Sequence, residues 1–358
     1  MDTCRSTGRN VPGEHTPDGT PQRGETTIRS TRRHVRDHWR RTGADLPWGD
    51  PLPSHQAPME GYLWRFTDTR RGRVLLVACG VNHHPHRPWG TVVVAADPLG
   101  TVRSTSVDGA WASTQRYQVR VPAALRYGAG ALHVRLDDDL HIDCVLGEPR
   151  TRPRRAVHGS GLFSLVPGLN HYWHPHLFDA KVRGTARLGD QRWDLSDCHV
   201  YAEKSWGRGF PHTWWWGQAH GFDRTDMCVA FAGGLLGRGR LALPVGGVVV
   251  STGDGMISLI PPTAGVRGGE RDGRWSIKAR NHRYRVRLTG EASSSRPWRL
   301  PIPLLEPHRF GYSTQHLAGN LQLEIFRDGQ LYYAGQSALA SLETGSSGAR
   351  WDRFRQLT

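Results

Sequence analysis

A chain of 358 residues is long for one domain and suits two. Its hydrophobic share of 37% and mean hydropathy of −0.54 are low for a globular core, yet this is not the composition of a disordered chain, and no apolar run approaches the roughly 18 residues that cross a bilayer. A formal charge of +15 and a pI near 10.3 suit an anionic partner. No helix-turn-helix pattern, zinc-finger spacing or RNP-type run accompanies that charge, so nucleic acid is not the expected one.

Residues 1–58 are rich in Arg, Thr, Pro, Gly and His and carry no sustained periodicity. They read as a disordered basic leader, with at most a short helix over 31–41. No apolar h-region follows its arginines, so no secretory or twin-Arg signal is expected, and the cytoplasm is the default location. From residue 59 the pattern changes to strand after strand: 62–67, 74–81, 90–96, 117–121, 132–136 and 141–146. Turn residues separate them, among them Arg71-Gly72, His84-Pro85, Asp97-Pro98 and Tyr127-Gly128. Short strands with regular turn signals predict an all-β sandwich or barrel, and no helix pattern is long enough for a βαβ unit.

The two halves resemble each other. Residues 90–100 read like 246–255, and the run from 184 to Glu203 reads like the run from 319 to Glu343. An offset of this size predicts two related β domains, 59–202 and 203–345, followed by a tail over 346–358. The five Cys, at 4, 79, 144, 198 and 228, form no C-x-x-C pair, and most sit in apolar strands, so a disulfide framework is not expected.

Residues 201–220 hold the densest chemistry, with four of the 14 Trp and one of three Lys. If residues 213–220 are extended, His212, Trp214, Trp216, Gln218 and His220 share one face, and Thr213, Trp215, Gly217 and Ala219 the other. A dry core gains little from Gln and His. A pocket for an aromatic or isoprenoid ligand would use all five, with Trp214 and Trp216 on its wall and Trp215 outside it. The plainer reading is a Trp-rich sheet packed on its neighbour.

The run Tyr201-Ala-Glu-Lys-Ser-Trp-Gly-Arg-Gly-Phe-Pro211, followed by Trp214-x-Trp216-x-Gln218, resembles the signature of the tocopherol cyclase family. Weaker matches extend the resemblance over about 59–345. They include Glu60-Gly-Tyr-Leu-Trp-Arg-Phe66, a strand over 319–326 and a closing strand over 337–343. Ser205 stands where the family has Asn, the aromatic run at 62–64 is permuted, and residues 170–176 keep little beyond Trp173. The resemblance implies tandem lipocalin-like barrels. It also implies a cofactor-free ring closure of a prenylated hydroquinone to a chromanol, the chemistry of vitamin E biosynthesis. A hydrophobic prenylated aromatic must be collected from somewhere, so an anionic membrane surface is the expected peripheral partner.

Ring closure adds a phenol oxygen across a trisubstituted double bond. It needs a proton donor, walls that tolerate cationic character, and groups that hold the phenol. Glu203 is the leading donor, because a carboxyl buried among aromatics favours its neutral form, and Tyr201, two residues earlier, could relay a proton. Trp206, Trp214 and Trp216 offer aromatic faces to a cation. Gln218 and His220 are candidates for the phenol or quinol oxygens. Glu60 is a weaker acid candidate, and Trp64 in the same aromatic strand a candidate for the ligand wall. The structural alternative is that Glu203 merely locks its hairpin. Adjacent strand residues point oppositely, so Glu203 and Lys204 are not natural partners. The triplets His83/His84/His86 and His171/His174/His176 lack metal-site spacing and are broken by Pro, so no metal is expected. Asp137-Asp138-Asp139 reads as a solvated hairpin rather than a calcium loop. Two rival functions remain: an isoprenoid hydratase or natural-product cyclase of the same fold, and a lipocalin-like carrier without turnover.

Overall fold

The computed structural model describes residues 35, 37–46, 49–149, 161–236, 243–292 and 297–346. Most of the leader, Cys4, the basic run at 150–155 and all but the first residue of the tail lie outside them. The chain forms two compact units, Met1–His38 and Trp39–Thr358, and the β structure belongs to the second.

The chain opens with a meander of four strands: β1 (Met59–Asp68), β2 (Arg73–Asn82), β3 (Trp89–Asp97) and β4 (Thr101–Asp108). Five shorter strands follow: β5 (Trp111–Ala112), β6 (Gln118–Val121), β7 (Leu125–Gly128), β8 (Ala131–Leu136) and β9 (Leu140–Pro149). Next come β10 (His171–Leu177), β11 (Ala180–Leu188), β12 (Gln191–Asp194) and β13 (His199–Gly207). The second half runs through β14 (Thr213–Ala219), β15 (Cys228–Leu236), β16 (Leu243–Thr252), β17 (Gly255–Leu259) and β18 (Gly265–Arg271). It ends with β19 (Arg274–Arg280), β20 (Tyr284–Glu291), β21 (Trp298–Pro303), β22 (Phe310–Arg327) and β23 (Gln330–Ser346). The expected strands all form. β4 escaped the sequence reading because it is a polar strand at a sheet edge, only partly covered.

Three antiparallel sheets result, in the orders β10-β13-β1-β2-β3-β4, β12-β11-β9-β8-β7-β6-β5 and β17-β16-β15-β14-β23-β22-β20-β19-β18, with β21 beside β22. The order β13-β1-β2-β3-β4 in the first sheet is matched by β23-β14-β15-β16-β17 in the third. In each half, the closing strand returns to pair with the opening one. Glu203 on β13 lies opposite Leu63, and Glu343 on β23 lies opposite Trp216. The change of sheet falls between Gly207 and Thr213. β13 runs without a break through the 202/203 position and pairs along its length with β1.

The first sheet is covered on both faces. One face packs Trp64, Phe66, Val77, Val92 and Val94 against the second sheet's Leu132 and Ile142. The other packs Val74, Leu76, Val93 and Ala95 against Leu300 and Leu317 of the third. Burial on two sides explains why β3 reads Trp-Gly-Thr-Val-Val-Val-Ala-Ala without alternation. By contrast β19 alternates strictly between exposed and buried, since one face meets solvent and the other the second half's own core.

Part of the predicted leader is ordered. Residues 51–57 form a strap with Pro51, Pro53, Ser54, His55 and Ala57 buried. Lys204, fully buried, donates to the carbonyls of Pro51 (3.1 Å) and Pro53 (2.8 Å) and contacts His55 Nδ1 at 3.0 Å. The His55 ring stacks on Trp206, with centroids 4.2 Å apart. Glu60 completes the clasp, 3.6 Å from Lys204, accepting from Ser54 Oγ, His55 N and Tyr62 Oη. Burial alone would raise the Glu60 carboxyl, yet Lys204 and these donors outweigh it and hold it below the usual range. Burial lowers Lys204 to about 8.

Lys204→Met should therefore strand a buried carboxylate and cost about 3–5 kcal/mol of stability. Equilibrium denaturation checks this. Lys204→Met combined with Glu60→Gln should recover most of the loss, and equal destabilisation of the single and double variants would show that the pair is not the clasp.

Candidate active site

Strand phase decides what each signature residue can do. On β13, Tyr201, Glu203 and Ser205 face the third sheet, while Ala202, Lys204 and Trp206 face the first half's interior. Tyr201 accordingly packs with Trp216 across the interface, and Ala202 with the first core. Between the first and third sheets lies a cavity of about 200 Å³, its walls mostly apolar, with Leu63, Leu76, Val93, Ile260 and Leu300 among them.

Glu203 lines this cavity and keeps 8% of its surface exposed, while Lys204 beside it keeps none. Three donors converge on one of its oxygens. Tyr201 Oη lies 2.5 Å from Oε2, Trp173 Nε1 2.8 Å and Trp216 Nε1 2.9 Å. Burial pushes the carboxyl above its ordinary range, and the three donors oppose that rise only in part. Burial and the neighbouring Glu203 likewise push the Tyr201 hydroxyl well up. A second carboxyl, Glu343, lines the same cavity and accepts from Trp214 Nε1 at 2.8 Å. Burial raises it to about 7, with the Glu203 charge adding to the effect.

The Trp run needs glycines beside it. A Cβ at Gly345, paired with Trp214, would fall inside that indole, and one at Gly233, paired with Trp215, inside the next. Trp214 and Trp216 line the cavity as their phase predicts. Trp215 lines it too, contrary to expectation, while packing against the second half's core.

Other candidates sit elsewhere. Gln218 and His220 share the Trp216 face but lie beyond the cavity, inside the interface. Gln218 Oε1 accepts from Arg65 Nη1 at 2.7 Å, and its Nε2 reaches Cys228 Sγ and His220 Nδ1, each at 3.2 Å. His220 Nε2 lies 2.6 Å from the Phe178 carbonyl, so both ring nitrogens are engaged. Trp206 and Glu60 belong to the strap clasp, with Trp206 donating to the Gly43 carbonyl at 2.7 Å. Trp64 is fully buried in the first core. None of these five is a cavity wall.

Sequence reasoning did not single out Arg65 or Glu343. Arg65 stands inside the quoted aromatic strand, and the internal repeat had already set Glu343 opposite Glu203. Among the described residues one group has metal-ligand spacing, Asp179, His199 and His220 within 4.8 Å. His220 is already engaged in hydrogen bonds there, so the group reads as a polar cluster.

The family model for tocopherol cyclase-like proteins matches residues 140–346, more than half of the chain. The chain belongs to the tocopherol cyclase-like family. A probable chloroplastic tocopherol cyclase of Oryza sativa subsp. japonica is 23% identical over 204 residues, covering 54% of this chain and 43% of that protein. The chloroplastic tocopherol cyclase of Zea mays is 22% identical over 203 residues, covering 54% and 42%. The matched stretch is thus under half the length of either plant protein. The all-β fold recurs in the crystal structure of CghA with Sch210972, at 10% identity and TM-score 0.60, over 85% of this chain and 93% of that one. Kievitone hydratase from Nectria haematococca superimposes at 12% identity and TM-score 0.50, over 80% and 89%.

Within this family member, Gln218→Leu should act on the frame and leave the cavity intact. Arg65 would lose a buried acceptor, at about 1–3 kcal/mol of stability. Denaturation midpoints should fall while ligand affinity, followed by Trp fluorescence, stays at the wild-type value. Lost affinity with unchanged stability would place Gln218 in the binding site after all.

Proposed function

We propose that this protein is a cyclase that closes a prenylated hydroquinone to a chromanol without a cofactor. One observation carries the reading. A carboxyl in an apolar, Trp-walled cavity receives all three of its hydrogen bonds on one oxygen. That leaves Oε1 of Glu203, a residue of the cavity wall, as the natural seat of its proton. Burial favours the neutral acid, and the donors on Oε2 stabilise the carboxylate that forms as the proton leaves. The alkene takes this proton at its less substituted carbon, and positive character builds on the tertiary one. The faces of Trp214 and Trp216 favour that charge through their quadrupoles. The phenol oxygen then bonds to the tertiary carbon and releases its own proton, so the product is an isomer of the substrate.

The membership in the tocopherol cyclase-like family and the two plant relatives support the prenylquinol as substrate. A carrier of the same fold would have little use for an acid whose proton faces the ligand. The test is incubation with a panel of reduced prenylquinols, with isomeric chromanols sought by mass spectrometry. Glu203→Gln keeps shape but removes the acid, and the rate should fall about 10²–10⁴-fold with binding little changed. The protonated form is the active one, so wild-type turnover should decline as pH rises through the raised Glu203 pKa. A folded Glu203→Gln variant cyclising at the wild-type rate would remove Glu203 from the mechanism.

We further propose peripheral contact with an anionic membrane surface, from which an insoluble substrate would be drawn. No helix among the described residues is long and apolar enough to cross a membrane. The solvent face of β18–β20 carries a cross-strand ladder of cations, Arg267 opposite Lys278 and Lys278 opposite Arg287, with Arg280 opposite Arg285 beside it. Basic residues near such a surface contribute about 1 kcal/mol each. Flotation with phosphatidylserine-containing vesicles should exceed that with neutral ones, weaken with salt, and drop on replacing Arg267, Lys278 and Arg287 with Ala. Salt-insensitive flotation with neutral vesicles and no gain with anionic ones would defeat the idea.

A further inference from the structure

The cavity holds two features that proton donation by Glu203 does not use. Glu343 enters from the third sheet, on the strand equivalent to the one that carries Glu203. Trp216 joins the two carboxyls: its backbone lies opposite Glu343, while its indole donates to Glu203. The neighbour of Glu343 on the other side is Gln315, its cross-strand partner on β22. Gln315 also lines the cavity and is fully buried, its Nε2 reaching only the His316 carbonyl at 3.4 Å. Its Oε1 has no hydrogen-bond partner. An orphaned buried acceptor costs free energy unless something supplies a donor. Gln315 belongs to the wall of the ligand cavity, and an O–H or N–H on a ligand there is the complement it lacks.

We infer that Glu343 is the second catalytic carboxyl, taking the phenol proton as the ring closes, with Gln315 as the acceptor that draws the phenolic hydroxyl to that end of the cavity. This rests on the ring-closure reading above. The proton count balances across the pair. Glu203 gives a proton to the alkene carbon, the C–O bond forms, the phenol O–H bond breaks, and its proton passes to Glu343. One proton remains between the two carboxyls, now on Glu343, and returns to Glu203 by exchange with solvent after product leaves. The charge of Glu203 disfavours ionisation of Glu343, and by reciprocity that of Glu343 disfavours ionisation of Glu203, so the pair resists double ionisation. The placement also suits the substrate. Acid and base lie on different sheets, so the alkene and the hydroxyl meet them from opposite walls.

The active form holds one proton between two carboxyls, so the wild-type pH–rate profile should be bell-shaped. In Glu343→Gln, kcat should fall about 10²–10⁴-fold, with KM moving little, and the acid limb of the bell should vanish. The alkaline limb, set by the Glu203 proton, should stay. Gln315→Leu removes only the acceptor, and quinol affinity should weaken about tenfold with the bell preserved. A merely structural Glu343 would lower the melting temperature, reduce the rate in proportion to folded protein, and leave both limbs in place. That pattern overturns the inference, as does wild-type kcat in a folded Glu343→Gln variant.

A binding arm separates this failure from failure of the ring-closure reading. By Trp fluorescence, the wild type should prefer the prenylquinol to its methyl ether at the ring-closing hydroxyl. The preference should shrink in Gln315→Leu and in Glu343→Leu. Absent turnover with this preference intact would discard ring closure and keep the hydroxyl-binding role of the pair. Turnover with equal wild-type affinity for quinol and ether would do the reverse.

Discussion

The site depends on one buried cation. Arg65 on β1 is fully buried, and the acceptors around its guanidinium are neutral oxygens. Nε donates to Ser341 Oγ at 2.8 Å, Nη1 to Thr67 Oγ1 at 2.6 Å and Gln218 Oε1 at 2.7 Å, and Nη2 to the carbonyls of Leu317 and Leu339. Burial lowers its pKa to about 9. A charge removed from water demands that its donors be satisfied in fixed directions. Apart from Thr67, on β1 itself, these acceptors come from β14, β22 and β23, so one side chain of the first sheet fixes three strands of the third. The frame that results brings Glu203 and Trp173 from one sheet to Trp214, Trp216 and Glu343 from the other. A looser apolar contact would allow sliding between sheets, and a convergence of three donors on a single carboxylate oxygen tolerates little of it.

This frame explains which parts of the site were legible. Strand phase follows from a period of two, so the sequence was enough to put Tyr201 beside Glu203, to separate Glu203 from Lys204, and to set Trp214 and Trp216 on one face. Depth along a strand has no such local signal. Gln218 and His220 share that face but lie further along β14, where Arg65 and the Phe178 carbonyl take their hydrogen bonds. Glu60 looked like a spare acid because its partner, Lys204, is 144 positions away in sequence and meets it only through the register of β1 and β13. The strap over residues 51–57 was hidden for a related reason. Its proline-rich composition is that of a linker, and its order comes from carbonyls offered to Lys204 rather than from any periodicity of its own.

Glu343 was legible in principle. The internal repeat aligned its strand with the one carrying Glu203, and the topology bears that alignment out in the matched orders β13-β1-β2-β3-β4 and β23-β14-β15-β16-β17. What the repeat could not supply was the direction of the two strands' inner faces. In one half the glutamate's opposite residue is Leu63, in the other Trp216. Only packing of the two sheets face to face turns two equivalent glutamates towards one space.

The arrangement also bears on what a cation formed in this cavity would meet. Water is the competing nucleophile whenever a tertiary carbocation forms, and its capture would give an alcohol instead of a ring. Oε2 of Glu203 offers a water molecule little, because Tyr201, Trp173 and Trp216 already donate to it. A water needs roughly two to four polar partners to reside in a cavity. Among the polar groups of the wall, Glu343 and Gln315 are the ones a bound phenol would occupy in the proposed reaction. Occupation of that pole by the substrate's own hydroxyl would then serve two ends at once, aligning the nucleophile and withdrawing the anchoring groups that water would otherwise use. In the proposed reaction the choice between ring and alcohol would then rest on which hydroxyl reaches Gln315 and Glu343 first, a property of their placement opposite Glu203 rather than of the acid itself.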